Sequence, residues 1–125
     1  AETLASLQNS GIAVSIFIDP DPEQIKLAHQ INAKMVEIHT GRFCEATTNK
    51  KRDQAFTEIV DAVKLAHKLK LGVNAGHGLC YQTIKAFKGL NEIDEFSIGH
   101  SIISRAVLVG MERAVREMLA LIKAL

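Results

Sequence analysis

The segment GVNAGHGLCY, from Gly72 to Tyr81, places a histidine between two glycines. The histidine is His77, and imidazole is the side chain whose charge changes closest to neutral pH, so it suits proton transfer. Gly76 and Gly78 remove side chains from around the ring and allow backbone amides to approach a ligand closely. We therefore predict that His77 is an acid–base group beside a bound ligand. The alternative is a histidine that only hydrogen-bonds across a loop.

Polar side chains also follow three other apolar runs of the chain. Asp19 ends the run IAVSIFID, and the runs MVEIHTG and EFSIGHS contain His39, Thr40 and His100. If these runs are parallel strands, their carboxyl ends meet at one edge of a sheet, where the active sites of such folds lie. We therefore expect these side chains to share that edge with His77.

Glu37 is a carboxylate within the apolar run MVEIHTG. Because side chains alternate along a strand, Glu37 points to the same face as Met35 and His39, two residues away on either side. A carboxylate among apolar neighbours needs a partner or a task. Either a Lys or Arg from another strand pairs with Glu37, or Glu37 takes part in catalysis, and both interpretations remain open.

Gly99 and His100 repeat the Gly-His pattern one βα unit after the Gly-His-Gly segment. The residues that follow predict a short helix over Ser101–Val109, which Gly110 ends. In barrel enzymes a phosphate commonly binds between the last two strand loops and the N-terminus of a short extra helix. Gly78, Gly99 and His100 are therefore the candidate phosphate cradle. The alternative is that Gly99 only permits a tight turn.

The two cysteines, Cys44 and Cys80, belong to no CxxC pair, so we expect reduced thiols. His77 and Cys80 form an HxxC pattern, which gives two weaker hypotheses. One is a metal site, which needs further ligands such as His39 and His100. The other is a nucleophilic Cys80 activated at a helix N-terminus. We favour a chain without a metal, in which Cys80 packs as a small apolar residue.

Composition limits the classes of function open to the chain. Its 125 residues, 47% of them hydrophobic, can bury the core of one domain. The formal net charge is +1 and the charges are spread along the chain, which argues against nucleic acid or an anionic membrane and favours a small or neutral partner. No apolar run reaches the length of a membrane span and no signal peptide is recognisable, which favours the cytoplasm.

Four short apolar runs bounded by turn residues predict four β-strands, each followed by a helical pattern. We expect the chain to begin inside a helix that ends near Gly11. The helix after the first strand has a clear start, because Asp21 can cap it and Pro22 fits its first position. Later helices, including a short one from about Tyr81 to Gly89, follow from apolar residues spaced three or four apart. The predicted strands are Ile12–Asp19, Met35–Gly41, Leu71–Gly78 and Glu95–Ser101.

Strands that alternate with helices predict an α/β fold with a parallel sheet and right-handed crossovers. No Pro- or Gly-rich linker divides the chain, so we expect one structural unit. Four βα units are either a small, open, doubly wound sheet or half of an eight-unit barrel. Composition and periodicity leave both architectures open.

Four motifs in this order, FIDPDPEQI, VEIHTGRF, LGVNAGHGLCY and FSIGHSIISRAVLVGMERAV, resemble the carboxyl-terminal half of the pyridoxine 5′-phosphate synthase family. The resemblance runs over nearly the whole chain. It implies a (β/α)8 TIM barrel in which residues 1–125 supply the C-terminal four βα units of a single domain. It also implies that the chain is inactive without the N-terminal half of the same barrel.

The resemblance further implies a reaction and a set of site residues. The family condenses 1-deoxy-D-xylulose 5-phosphate with 3-amino-2-oxopropyl phosphate, without a metal or organic cofactor, and is expected to form a homo-oligomer, an octamer by resemblance. His77 and Glu37 match the positions of its catalytic histidine and inward carboxylate. Gly78, Gly99 and His100 match its substrate-binding positions.

Two other functions compete with this one. A phosphate-binding half-barrel module would retain the cradle and lack the chemistry. Another barrel enzyme that acts on sugar phosphates, such as an aldolase or epimerase, would need a Schiff-base Lys or metal ligands at the strand ends. No Lys lies at the carboxyl end of any predicted strand.

Overall fold

A four-stranded parallel sheet lies at the centre of the computed structural model, which describes residues 1–125. All four predicted strands are present, which confirms the α/β class, and each is shorter than predicted. The strands are β1 Ser15–Ile18, β2 Met35–His39, β3 Gly72–Gly76 and β4 Glu95–Ser97.

The order of the strands in the sheet is the order of the strands in the chain, β1-β2-β3-β4. Each strand pairs in parallel with the next, so that Glu37 of β2 lies opposite Phe17 of β1 and Asn74 of β3. A doubly wound sheet reverses its strand order at a switch point. This sheet has no such point, and its four carboxyl-terminal ends lie along one edge.

Six α-helices and one 3₁₀ helix, Thr83–Phe87, complete the structure. The second α-helix starts as predicted, because the Asp21 carboxylate accepts a hydrogen bond from the Glu23 amide at 2.9 Å and Pro22 occupies the first turn. The short helix predicted from Tyr81 is the 3₁₀ helix. None of the helices combines the length and apolar composition needed to cross a bilayer. The α-helices are α1 Glu2–Asn9, α2 Pro22–Gln30, α3 Gly41–Cys44, α4 Asn49–Lys68, α5 His100–Val109 and α6 Met111–Lys123.

The hydrophobic core lies between the sheet and the helices packed on it. Val36 and Ile38 of β2 are fully buried in this core, together with Ile59 and Val63 of α4. The residues of β2 that alternate with them are only half-buried, and they include Glu37. The predicted alternation of side chains along this strand is therefore confirmed.

Candidate active site

A cavity of about 470 Å³ lies at the carboxyl-terminal edge of the sheet, between the loops that follow β3 and β4. The Gly-His-Gly loop with His77 and the segment with Gly99 and His100 therefore face the same space. Four of the five predicted site residues line this cavity, and Glu37 is not among them. The lining includes His77, Gly78, Ser97, Gly99, His100 and Ser101.

The loop that carries His77 has an unusual backbone. His77 has a φ of +80° and Gly78 a φ of +77°, so two consecutive residues adopt the left-handed region that most side chains disfavour. Thr40, which is buried at the end of β2, holds this loop, and its amide donates to the Gly76 carbonyl at 2.8 Å. The Thr40 hydroxyl lies 2.8 Å from the same oxygen and 2.6 Å from the His77 carbonyl, and its single proton serves one of them at a time.

Glu37 is connected to the cavity through a serine. The Ser97 hydroxyl donates to Oε2 of Glu37 at 3.0 Å, and Ser97 lines the cavity. A Cβ at Gly76 would overlap Oε1 of Glu37, so glycine at this position makes room for the carboxylate. Glu37 takes part in none of the salt bridges, so a serine stands where the sequence left open a Lys or Arg partner. The catalytic interpretation of Glu37 stays a prediction.

Helix α5 begins at His100, one residue before the predicted start. Gly99 is its N-cap and offers no side chain to the first turn, so amides of that turn are left for a ligand. The Ser101 hydroxyl donates to the Leu79 carbonyl at 2.9 Å, which ties this end of the helix to the loop after β3. Because a helix N-terminus carries partial positive charge, this side of the cavity suits an anion.

Two strand-end residues form a pair that sequence reasoning did not identify. Oδ1 of Asp19 lies 3.3 Å from Nδ1 of His39. The imidazole rings of His39 and His77 also lie close together, with 4.7 Å between their centroids. The available signal was the position of these residues at strand ends, but which of them meet depends on side-chain rotamers that periodicity does not give.

Both cysteines are free thiols, as the sequence predicted. Burial raises the pKa of the Cys44 thiol. Burial also acts to raise the pKa of Cys80, but hydrogen bonds with Thr83 and the backbone of Gln82 outweigh it and leave the pKa below its usual value. No group of three or more His, Cys, Asp and Glu side chains is arranged to hold a metal ion, so His77 and Cys80 gain no further ligands. The nucleophile hypothesis for Cys80 stays a prediction.

Parallel βα units whose strands end at one edge of the sheet, beside a cavity lined by His77 and His100, define a class of α/β proteins. Within that class, the chain belongs to the PdxJ family. Residues 1–124 match the family model described as Pyridoxal phosphate biosynthesis protein PdxJ. This match confirms the resemblance carried by the four sequence motifs.

Several curated relatives share the name pyridoxine 5′-phosphate synthase. The relative from Desulforapulum autotrophicum is 67% identical over 124 residues, which cover 99% of this chain and 52% of that protein. The relative from Desulfosudis oleivorans is 61% identical over 122 residues, covering 98% and 52%, and that from Syntrophobacter fumaroxidans is 55% identical over 121 residues, covering 97% and 51%. The chain spans about half the length of the curated relatives it matches.

Proposed function

We propose that the complete protein condenses 1-deoxy-D-xylulose 5-phosphate with 3-amino-2-oxopropyl phosphate to give pyridoxine 5′-phosphate, inorganic phosphate and water. The observation that carries this proposal is the shared cavity, because His77 and the first turn of α5 line the same space. A reaction between two phosphorylated substrates needs an acid–base group beside an anion-binding site. The name of the relatives, pyridoxine 5′-phosphate synthase, agrees with the proposed product.

The chain is, in this proposal, the C-terminal half of a single (β/α)8 barrel domain. A barrel segment requires strands whose spatial order equals their chain order, and β1 to β4 have that order. The outer edges of β1 and β4 have no partner strand in the sheet, so both can pair with the N-terminal half. The span of about half the relatives' length agrees with this arrangement.

His77 is the proposed proton donor. Ring closure proceeds through imine formation, enolisation, dehydration and loss of phosphate, and each of these steps moves protons. A leaving oxygen departs more readily when it receives a proton as its bond breaks. The His77 side chain is exposed to the cavity, where it can reach such an oxygen without displacing another residue.

Glu37 is the proposed stabiliser of cationic, iminium-like intermediates. Its carboxylate is half-buried, and its charge acts more strongly where water is excluded. The hydrogen bond from Ser97 orients one oxygen of this carboxylate toward the side of the sheet that carries the cavity. The other oxygen lies over Gly76, directly before the His77 loop.

Gly78, Gly99 and His100 are the proposed holders of a substrate phosphate. The absence of a side chain at both glycines lets backbone amides approach the phosphate oxygens. The α5 dipole adds favourable electrostatics at the same place. Holding the phosphate still fixes the distance between the reacting carbon atoms and His77.

His77→Asn, made in a full-length protein that carries this chain, tests the assignment. We expect kcat to fall by about 10²- to 10⁴-fold with little change in KM, because general acid–base catalysis contributes on that order. Pyridoxine 5′-phosphate is measured by its pyridine absorbance. His67→Asn, an exposed histidine on α4, is the matched control and should leave kcat unchanged. A His77→Asn protein with kcat within a few-fold of the unmodified protein would refute the role of His77.

A phosphate-binding module is the second candidate, because Gly78, Gly99 and His100 line the cavity beside the first turn of α5. Both candidates predict that inorganic phosphate raises the melting temperature of the full-length protein. The enzyme alone forms the pyridine product from the two substrates. Stabilisation by phosphate without product would favour the module.

Three expectations from the sequence stay predictions. The homo-oligomer, an octamer by family resemblance, is measured by light scattering of the full-length protein. The cytoplasmic location is measured by fractionation of cells that express it. Independence from metals and organic cofactors is measured by assaying the protein after dialysis against a chelator.

A further inference from the structure

His39 is held on several sides at the carboxyl-terminal end of β2. Its Nδ1 atom lies 3.3 Å from Oδ1 of Asp19, and its side chain is only 26% exposed. The ring of Phe17 packs at right angles to it, with 5.1 Å between the centroids. A carboxylate at Nδ1 fixes both the orientation and the protonated nitrogen of an imidazole. The second nitrogen, Nε2, is left for another contact.

Gly41 is the place where the rings of His39 and His77 meet. A Cβ at this position would lie 2.9 Å from Cε1 and 3.0 Å from Nε2 of His39, and 3.0 Å from Cδ2 of His77. Any side chain at position 41 would therefore push the two rings away. With glycine there, the rings pack together at an angle of 43°.

The His77 ring needs a neighbour that limits its rotation. Its backbone is held by Thr40, but its imidazole has no hydrogen-bond partner within the chain and is exposed to the cavity. A side chain with free χ angles occupies several rotamers, whereas proton transfer requires one. The packed neighbour of this ring is the imidazole of His39.

We propose that His39, oriented by Asp19, is a positioning residue that holds the His77 imidazole for proton transfer. The inference rests on the proposed function, in which His77 is the proton donor. Asp19 fixes His39 at Nδ1, and the His39 ring, packed against the His77 ring, limits the rotation of His77. His39 itself needs no contact with the substrate.

Three substitutions in the full-length protein separate the parts of this arrangement. His39→Ala removes the packed ring, and we expect kcat to fall by about 10- to 100-fold while KM changes by less than about threefold, as misplacement of a reacting group does. His39→Phe keeps a ring and should recover most of that loss. Asp19→Asn should lower kcat by an intermediate factor, and should have no further effect when added to His39→Phe.

His29→Ala, an exposed histidine on α2, is the control and should leave kcat unchanged. Circular dichroism checks that each variant is folded, and His39→Leu replaces His39→Ala if the alanine protein does not fold. The inference is overturned if the variant without a ring keeps kcat within twofold, or if His39→Phe recovers nothing. If His77→Asn is itself fully active, the proposed role of His77 as proton donor is wrong, whatever the His39 variants show.

Discussion

Gly78 is a residue whose missing side chain determines the geometry of the site. It has a φ of +77°, and a Cβ there would lie 2.9 Å from the Cβ of Cys44. Gly78→Ala therefore combines backbone strain with a close contact, and we expect it to lower the free energy of unfolding by about 2–3 kcal/mol. Urea denaturation of the full-length protein measures this loss.

Gly89→Ala is the matched control for that experiment. Gly89 has a similar φ of +82°, but a Cβ there would meet nothing within 4 Å. Gly89→Ala should therefore lower the free energy of unfolding only through backbone strain, by about 1 kcal/mol. Equal losses at the two positions would show that the contact with Cys44 has no energetic consequence.

Ser97 permits a second test at the scale of one residue. Ser97→Ala leaves Glu37 in place and removes the hydrogen bond that orients it. We expect kcat to fall about three- to tenfold, because a hydrogen bond to a charged group contributes about 1 kcal/mol or more. Steady-state kinetics measures the loss, and Ser104→Ala, an exposed serine on α5, is the control. An unchanged kcat in Ser97→Ala would show that the reaction does not depend on the orientation that Ser97 gives to Glu37.

Residue types predicted the location of the candidate site better than the contacts within it. Imidazole between two glycines was sufficient to select His77, and the structure places it in a cavity with Gly99 and His100. The contacts of Thr40 and Ser97 were not predictable, because each depends on how the strands are aligned in the sheet, and the contact of Ser97 with Glu37 reaches from β4 across β3 to β2. Strand register is a three-dimensional property that one strand's sequence does not contain.

The junction between α5 and α6 depends on a carboxylate between two guanidinium groups. Glu117 of α6 lies 2.8 Å from Nε of Arg105 on α5 and 2.8 Å from Nε of Arg113. Hydrogen bonds from Arg105 and then Arg113 lower the pKa of Glu117 from 4.5 to about 2. The folded state therefore binds the proton of Glu117 less tightly than the unfolded state does.

The pH dependence of stability tests this junction. A depressed carboxyl pKa contributes stability that is present above pH 4.5 and is lost as the pH falls toward about 2. Glu117→Gln should thus lower the melting temperature at neutral pH, with a difference that shrinks over this window. The effect should be small and weaken with salt, because the groups are partly exposed. Glu112→Gln on the same helix is the control, and parallel pH curves for Glu117→Gln and the unmodified protein would contradict the expectation.

Element types were more predictable than element ends. Asp21 and Pro22 predicted the start of α2 correctly because a cap is a local interaction. The fourth strand was predicted over Glu95–Ser101 but ends at Ser97, because the chain there already turns into α5. Helix α3 was not predicted, since four residues are too few to show helical periodicity.

At the scale of the whole molecule, the sheet has two open edges. The outer edges of β1 and β4 are unpaired, and Phe17 is 54% exposed on the sheet. Unpaired strands and exposed apolar side chains favour association. We expect the 125-residue chain to self-associate when it is expressed alone. Light scattering measures this, and a stable monomer that binds no hydrophobic dye would contradict it.

Complementation tests whether a partner can cover the open edges of β1 and β4. The N-terminal half of the Desulforapulum autotrophicum relative, expressed together with this chain, should cover both open edges. We expect the two pieces to elute as one complex and to form product together, whereas neither does so alone. A mixture that elutes as separate species would argue against the proposed barrel.

The architecture of the whole molecule was the least accessible from sequence pattern. Alternating strands and helices were compatible with two architectures, and the strand order β1-β2-β3-β4 is consistent with half of a barrel. Strand order depends on contacts between segments tens of residues apart, which periodicity does not record. Resemblance supplied the barrel expectation, and the order of the four strands supports it.

The match between spatial order and chain order also governs how the protein is made. Ser15 of β1 pairs with Met35 of β2, and Asn74 of β3 pairs with Glu95 of β4. The two strands of each pair are therefore separated by one crossover. As the polypeptide leaves the ribosome, every new strand meets a neighbour that has already emerged. In the proposed barrel, the one seam that joins the last strand to the first must wait until synthesis is complete. Closure of the barrel is then the last step in the folding of the domain.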